Sequence, residues 1–215
     1  AGGNFDPDEW AQLVLDAGAK FAGPSVEHHD GYSMWDSKCN EWNSVNKGPH
    51  LNLASLFATA IRAKGMTFVV CEHIENNFSG YYKFVPPQTD PSLKRFYGQL
   101  GKHEESQLWY DKMKELADEF QPDMIWQDGG DYMDEAHRLA FLSYYYNQAI
   151  ALKKEVVVAY KGTDDPGELY DYELGGPPSL RHPYWMTDQN INPKSWCYIQ
   201  GMDGNYYSPK ALINV

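Results

Sequence analysis

Residues 53–71 read LASLFATAIRAKGMTFVVC, and this stretch carries the argument for the fold. Leu53, Leu56, Phe57, Ala60 and Ile61 recur three and four apart, the spacing of one apolar stripe along a helix. Gly65 ends that helix. Met66-Thr67-Phe68-Val69-Val70-Cys71 then runs apolar with little alternation, as a strand covered on both faces does. The same unit recurs on either side. Upstream, Asp6-Pro7-Asp8-Glu9 opens a helix with a capping carboxylate, a proline in the first turn and acids at the positive end of the dipole. Trp10, Leu13, Val14 and Ala17 form its stripe, Gly18 stops it, and Lys20 to Val26 is the apolar run behind it. Downstream, Trp109, Met113, Leu116, Ala117 and Phe120 mark a third helix, closed by Pro122 and followed by Met124-Ile125-Trp126. Leu139, Leu142, Tyr146, Ala149 and Ile150 mark a fourth, before Glu155-Val156-Val157-Val158-Ala159-Tyr160.

Helix and strand in alternation predict a parallel sheet covered by helices. A doubly wound sheet and a barrel both satisfy that pattern. No Gly-x-Gly-x-x-Gly or Gly-x-x-x-x-Gly-Lys turn follows a strand, which weighs against the nucleotide-binding doubly wound form. The expectation is an α/β fold, a (β/α)8-like barrel of the TIM type, occupying residues 1–215 as one domain. Two long polar stretches, Glu75 to His103 and Lys161 to Ser195, interrupt the pattern and are expected to be functional loops.

A formal charge of −12 disfavours nucleic acid and anionic membrane surfaces as partners. Aromatic residues make up 15 % of the chain, too much ring surface for a disordered acidic polypeptide. Cys39, Cys71 and Cys197 are odd in number and far apart, so they read as free thiols with at most one bridge and no paired metal spacing. No apolar run is long enough to span a bilayer, and the acidic first residues do not read as a signal peptide. No cofactor is expected.

In barrels, active sites are built at the C-terminal ends of the strands. Those positions here are almost all ionisable. The first run leads into Glu27-His28-His29-Asp30-Gly31 and the second into Glu72-His73. The third leads into Asp128-Gly129-Gly130, the fourth into Lys161 and then Asp164-Asp165, with Asp171-Tyr172-Glu173 beyond. In a chain with 22 % charged residues, that placement after strand after strand predicts a shared polar pocket. Taken singly, each feature has a plainer explanation. Adjacent His28 and His29 point to opposite sides of a strand, so one of them reads as a buried ring bonded to backbone. Asp128 before two glycines reads as a turn former. Asp171 and Glu173 read as solvated charges, and Trp35, Trp126 and Trp185 as core. Trp126 precedes Asp128 by two residues, however, and on a strand that spacing points both side chains the same way.

Carboxylates, neutral histidines and aromatic walls suit hydrolysis of a glycosidic bond. One carboxyl group attacks or activates water while another protonates the leaving oxygen. Apolar walls raise the pKa of the acid while its better solvated partner stays ionised, and aromatic faces suit sugar rings. Two other readings stay open. One is a metal-dependent hydrolase or isomerase ligated by Glu27, His28, Glu72, His73 and Asp128. The other is a carbohydrate-binding barrel without catalysis.

Glu27 to Ser37, EHHDGYSMWDS, resembles the HHDGF-x-x-W/Y-x-S signature of the glycoside hydrolase family 29 α-L-fucosidases. Phe5 to Lys20 resembles that family's helix ending in AGAK, and Asn43 to Ile61 its WNS segment. Pro122 to Gly129, PDMIWQDG, is similar to its P-D-x-I-W-x-D-G strand. The resemblance implies that Asp128 is the nucleophile of a retaining mechanism. Tyr170-Asp171-Tyr172-Glu173 resembles the segment carrying the acid/base, which implies Glu173 in that role, with Glu168 and Asp188 as alternatives. His28, His29 and Trp126 would then touch fucose, with Trp35, His73 and Lys161 as further substrate contacts. Trp185 to Asp188 and Ser195 to Tyr198 resemble later family stretches.

The departures are as specific. Ala159-Tyr160-Lys161-Gly162 stands where many members have N-D-R-W, leaving Lys161 in place of an arginine. Cys71-Glu72-His73 replaces Y-Y-S. An earlier strand ending in H-(F/W)-G and a late G-G-x-L-L-L-N strand have no match, so the barrel is expected to be incomplete. Open strand edges predict pairing with a second copy of the chain. The resemblance also implies a carbohydrate substrate and a periplasmic or secreted location.

Overall fold

The computed structural model describes residues 4–73, 77, 83–129, 132–162, 165–177, 179, 184–201 and 204–213; Glu75, Gly130 and Asp164, named above, lie outside them. Helix α1 (Pro7–Asp16) leads into β1 (Phe21–Ala22) and β2 (Ser25–Glu27), and α2 (Leu53–Ala63) leads into β3 (Thr67–Glu72). The short α3 (Pro91–Phe96) and the long α4 (Lys102–Phe120) precede β4 (Met124–Asp128), and α5 (Glu135–Leu152) precedes β5 (Val157–Lys161). Strands β6 (Glu168–Glu173) and β7 (Met186–Asp188) and helix α6 (Pro209–Ile213) follow.

The helix ends obey local chemistry. The Asp6 carboxylate accepts from the backbone N–H groups of Asp8 and Glu9 at 3.0 and 3.2 Å, and Asn52 caps α2 by accepting from Ser55 at 3.0 Å. Helix α4 stops at Gln121, in the left-handed region at φ 45°, directly before Pro122.

Every strand pair is parallel, and the spatial order β1/β2, β3, β4, β5, β6, β7 follows the order of the chain. A doubly wound sheet reverses its order at a switch point; a barrel winds in one direction. Phe21 and Ala22 at one edge and Met186 and Asp188 at the other line a single cavity of about 460 Å³, so the sheet is rolled into a barrel wall. Among the described residues it stays open between β1 and β7. The outer face buries Phe68, Val70, Ile125 and Val158 against Ala58 and Ile61 of α2, Trp109, Met113 and Leu116 of α4, and Phe141 and Tyr145 of α5.

The structure corrects two expectations. Lys20 to Val26 is not one strand: it breaks at Gly23-Pro24. A side chain at residue 23 would put its Cβ 1.6 Å from the Val69 carbonyl oxygen, so only glycine lets the two backbones approach. Lys161 to Ser195 is not one long loop, because it holds β6 and β7. Its acids resemble a loop in sequence because they face a polar interior. The other polar stretch contains α3, whose cap Asp90 accepts from Ser92 N–H at 2.8 Å. All three cysteines are free thiols.

Candidate active site

Residues in register on parallel strands stand side by side and face the same way. Trp126 is in register with Cys71 and Ala159, Asp128 with Lys161, and Glu173 with Asp188. Phe21, Val69 and Met124 make the lower, apolar part of the cavity, while His28, His73, Trp126 and Asp188 line its upper part. The Trp126 indole N–H reaches past the small Ala159 to donate to the Asp171 carboxylate on the next strand but one.

A bulge sets the histidines. Ser25 is in register with Cys71, but Glu27 is in register with Glu72, so β2 carries one extra residue there. The extra residue turns Glu27 away from the interior. Both of its carboxylate oxygens are held by the buried Lys112 ammonium at 2.7 and 2.9 Å, and Ser33 Oγ donates to it at 2.6 Å. Strand β2 then ends. His28 and His29 sit in a turn closed by Gly31 N–H on the His28 carbonyl at 2.9 Å, with Gly31 at φ 74°. Strand alternation therefore does not apply to them, and their ring centroids lie 4.2 Å apart. His28 stacks on His73 at 4.2 Å, and His29 Nδ1 lies 3.3 Å from the His73 carbonyl, the backbone bond expected of one of the pair. Ser25 Oγ, which no sequence signal marked, lies 3.1 Å from His73 Nδ1.

Lys161 is the centre of the acidic side. Its Nζ lies 3.2 Å from Asp128 Oδ1, 3.3 Å from Glu173 Oε2 and 3.3 Å from Asp188 Oδ2, and 5.0 Å from the Trp126 ring centroid. Asp128 Oδ2 faces His73 Nε2 at 3.7 Å. The Asp128 side chain is 24 % exposed and that of Glu173 45 %. Burial, followed by the neighbouring His28, pushes the His73 pKa down to about 3, so its ring is neutral at physiological pH. Burial also raises the carboxyls of Asp171 and Asp188. Burial pulls Lys161 down, but Asp128, Asp188 and Glu173 outweigh it, and its ammonium is held above the ordinary value.

Several candidates from the sequence do not join this cluster. Trp35 is fully buried in the core, its indole donating to Glu115 Oε2 at 3.0 Å. Glu168 opens β6 at the end opposite Glu173 and accepts from Asp165 N–H at 3.1 Å. Asp165 itself pairs with Arg138 at 2.7 Å. Glu72 is buried on the outward side of β3. The five residues of the metal reading do not converge, since Glu27 and Glu72 face away from the interior; the potential ligand group among the described residues is His103, Asp134 and His137.

Carboxylates, imidazoles and an indole thus meet at the strand ends of a parallel barrel wall, the place and the side chains of a barrel enzyme's active site. A sequence model of the family described as alpha-L-fucosidase matches residues 1–215, and the chain belongs to that family. It is 29 % identical to the tissue alpha-L-fucosidase of Bos taurus, with 93 % of this chain and 42 % of that protein aligned. To the human tissue alpha-L-fucosidase it is likewise 29 % identical, over 92 % of this chain and 42 % of the other. Among solved structures, Thermotoga maritima alpha-fucosidase superposes with a TM-score of 0.74 at 28 % identity, covering 99 % of this chain and 47 % of that one. The chain thus spans less than half the length of these relatives.

Proposed function

We propose that this chain supplies the catalytic barrel, residues 1–215, of a retaining α-L-fucosidase that removes terminal α-L-fucose from glycans. Asp128 attacks the anomeric carbon while Glu173 protonates the departing oxygen, and a covalent fucosyl-enzyme forms. Glu173, now ionised, deprotonates a water that releases fucose with retained configuration. The observation that carries this reading is the shared ammonium. Asp128 and Glu173 both touch Lys161 Nζ, at 3.2 and 3.3 Å, so their facing oxygens stand no farther apart than those two contacts end to end. Retaining enzymes hold their carboxyl pair about 5–5.5 Å apart, whereas inverting enzymes leave a wider gap for water.

In this reading Lys161 pairs with Asp128, the Trp126 face receives the sugar ring, and the imidazoles of His28, His29 and His73 meet its hydroxyls. Trp35 acts only by packing beneath the loop that presents them. Asp188 is the second candidate for the acid, favoured by the burial that raises its carboxyl. The substrate is a carbohydrate, not nucleic acid, in a periplasmic or secreted setting, and a second copy covering the open edges would show as a dimer in light scattering. No described helix is long and apolar enough to cross a membrane.

Asp128→Asn tests the reading directly. Hydrolysis of an aryl α-L-fucoside should fall by roughly 10⁴-fold with the fold intact, and undiminished turnover would refute the assignment. Glu173→Gln should spare substrates with good leaving groups and abolish the basic limb of the pH profile. If Asp188→Asn does this instead, the acid is Asp188.

A further inference from the structure

We propose that His103, Asp134 and His137 form a binding site for a divalent transition ion of the zinc class, joining the N-termini of α4 and α5 on the rim of the barrel. His103 stands in the first turn of α4, Asp134 immediately precedes α5, and His137 stands in the first turn of α5. Both helices start at the rim where the strands end, and Asp134 follows Asp128 by only six residues.

Three observations point to a ligand. One ring nitrogen of each histidine and an Asp134 oxygen all lie within 4.8 Å of one another, and His103 Nδ1 stands 3.5 Å and His137 Nδ1 3.7 Å from Asp134 Oδ2. Both distances exceed a good hydrogen bond. His137 Nδ1 is shut off from solvent yet makes no hydrogen bond, an arrangement that costs free energy unless another group engages it. The Asp134 side chain also declines the usual task of its position: Asp6, Asn52 and Asp90 cap their own helices, whereas Asp134 makes no side-chain cap bond.

The donor set selects the ion. Two imidazole nitrogens and one carboxylate oxygen suit Zn²⁺ and its neighbours, while Mg²⁺ and Ca²⁺ require oxygen. Ligand atoms about 2.0–2.2 Å from a tetrahedral ion stand roughly 3.3–3.5 Å apart, and the two imidazole–carboxylate distances, 3.5 and 3.7 Å, are already close to that spacing. The backbone is already fixed, because Asp134 N–H donates to Ser106 Oγ of α4 at 2.9 Å. Lys102 lies 4.0 Å from the other carboxylate oxygen, Oδ1, and over the Tyr132 ring, leaving Oδ2 for the ion, while the neighbouring Arg138 guanidinium donates to Asp165 and to the Met133 carbonyl. His103, 81 % exposed, provides the way in, and a water fills the fourth position.

The site is independent of the hydrolase reading, and its test uses binding alone. Chelator-treated protein is titrated with Zn²⁺ by calorimetry and with Co²⁺ by visible absorption. One equivalent should bind with micromolar or tighter affinity, raise Tm, and give the bands of a four-coordinate nitrogen–oxygen site. His103→Gln, whose position is exposed and leaves the fold unchanged, and His137→Gln should each weaken binding by at least about tenfold and cancel the rise in Tm. Binding that persists unchanged in both variants belongs to the His28, His29 and His73 stack and overturns the proposal. Absence of any binding at micromolar ion overturns it as well.

Discussion

Strands β3 to β5 and strands β6 to β7 belong to one sheet, but they are held in different ways. Each of the first group follows a helix and buries its outward face beneath α2, α4 and α5. No helix is described between β5 and β6 or between β6 and β7. The outward side of β6 carries Tyr170, 36 % exposed, against Tyr172, and in the segments that precede and follow β7 Tyr184, Trp196, Tyr198 and Tyr206 are exposed. The buried half carries Asp128 and His73; the lightly covered half carries Glu173 and Asp188. Lys161, at the end of β5, joins them. The chemistry therefore sits on a seam between a frame stabilised by apolar burial and a wall fastened by strand hydrogen bonds and charge.

The sharpest way to break this contrast is to remove one large ring from each side. Trp109→Ala, in the fully buried core, should cost about 3–5 kcal/mol, whereas Trp196→Ala, 53 % exposed, should change stability by within about 0.5 kcal/mol. Comparable losses in urea unfolding would erase the distinction. Lysines sharpen it next. Lys112→Met strands the buried Glu27 carboxylate and should cost about 3–5 kcal/mol, with most of it recovered in the Glu27→Met, Lys112→Met double variant. Lys161→Met faces carboxylates with access to water and should cost less. It should also raise the pKa of the Asp188 carboxyl, which Lys161 lowers against burial, and so move the basic limb of the activity profile upward in the case that Asp188 is the acid.

Acid addresses the seam itself. His73 titrates near its ordinary 6.5 in the unfolded chain but at about 3 when folded, so between those values the unfolded state binds more protons. Stability should be full above pH 6.5 and fall by up to about 1.4 kcal/mol per pH unit as pH drops through that window. His73→Gln should flatten the slope, and an unchanged slope would show that the ring protonates in place. The smallest expected effect lies far from the seam: Asp6→Ala removes the α1 cap and should cost about 1 kcal/mol without altering activity.

Much of the frame is legible from residues 53–71 and their counterparts, because a stripe at helical spacing followed by an apolar strand depends on local backbone geometry. Asp171, Glu173 and Asp188 resist that reading, since a strand facing a polar interior has the composition of a loop. The His28-His29 pair is misjudged by strand alternation for a related reason: the bulge in β2 and the turn at Gly31 end the strand before the pair. Glu27 and Glu72 look like site residues because they end apolar runs, and only strand register reveals that they face outward.

The sequence by itself determined the order of helices and strands, the parallel sheet, and the common direction of Trp126 and Asp128, all of which follow from repeats of two and 3.6 residues. Only the tertiary structure decided that one ammonium serves three carboxylates, that Asp171 holds Trp126, and that His103 meets Asp134 and His137. Those meetings depend on register between strands and on how two helix ends dock. Both are set by packing across the whole sheet, and no local pattern of residues encodes them.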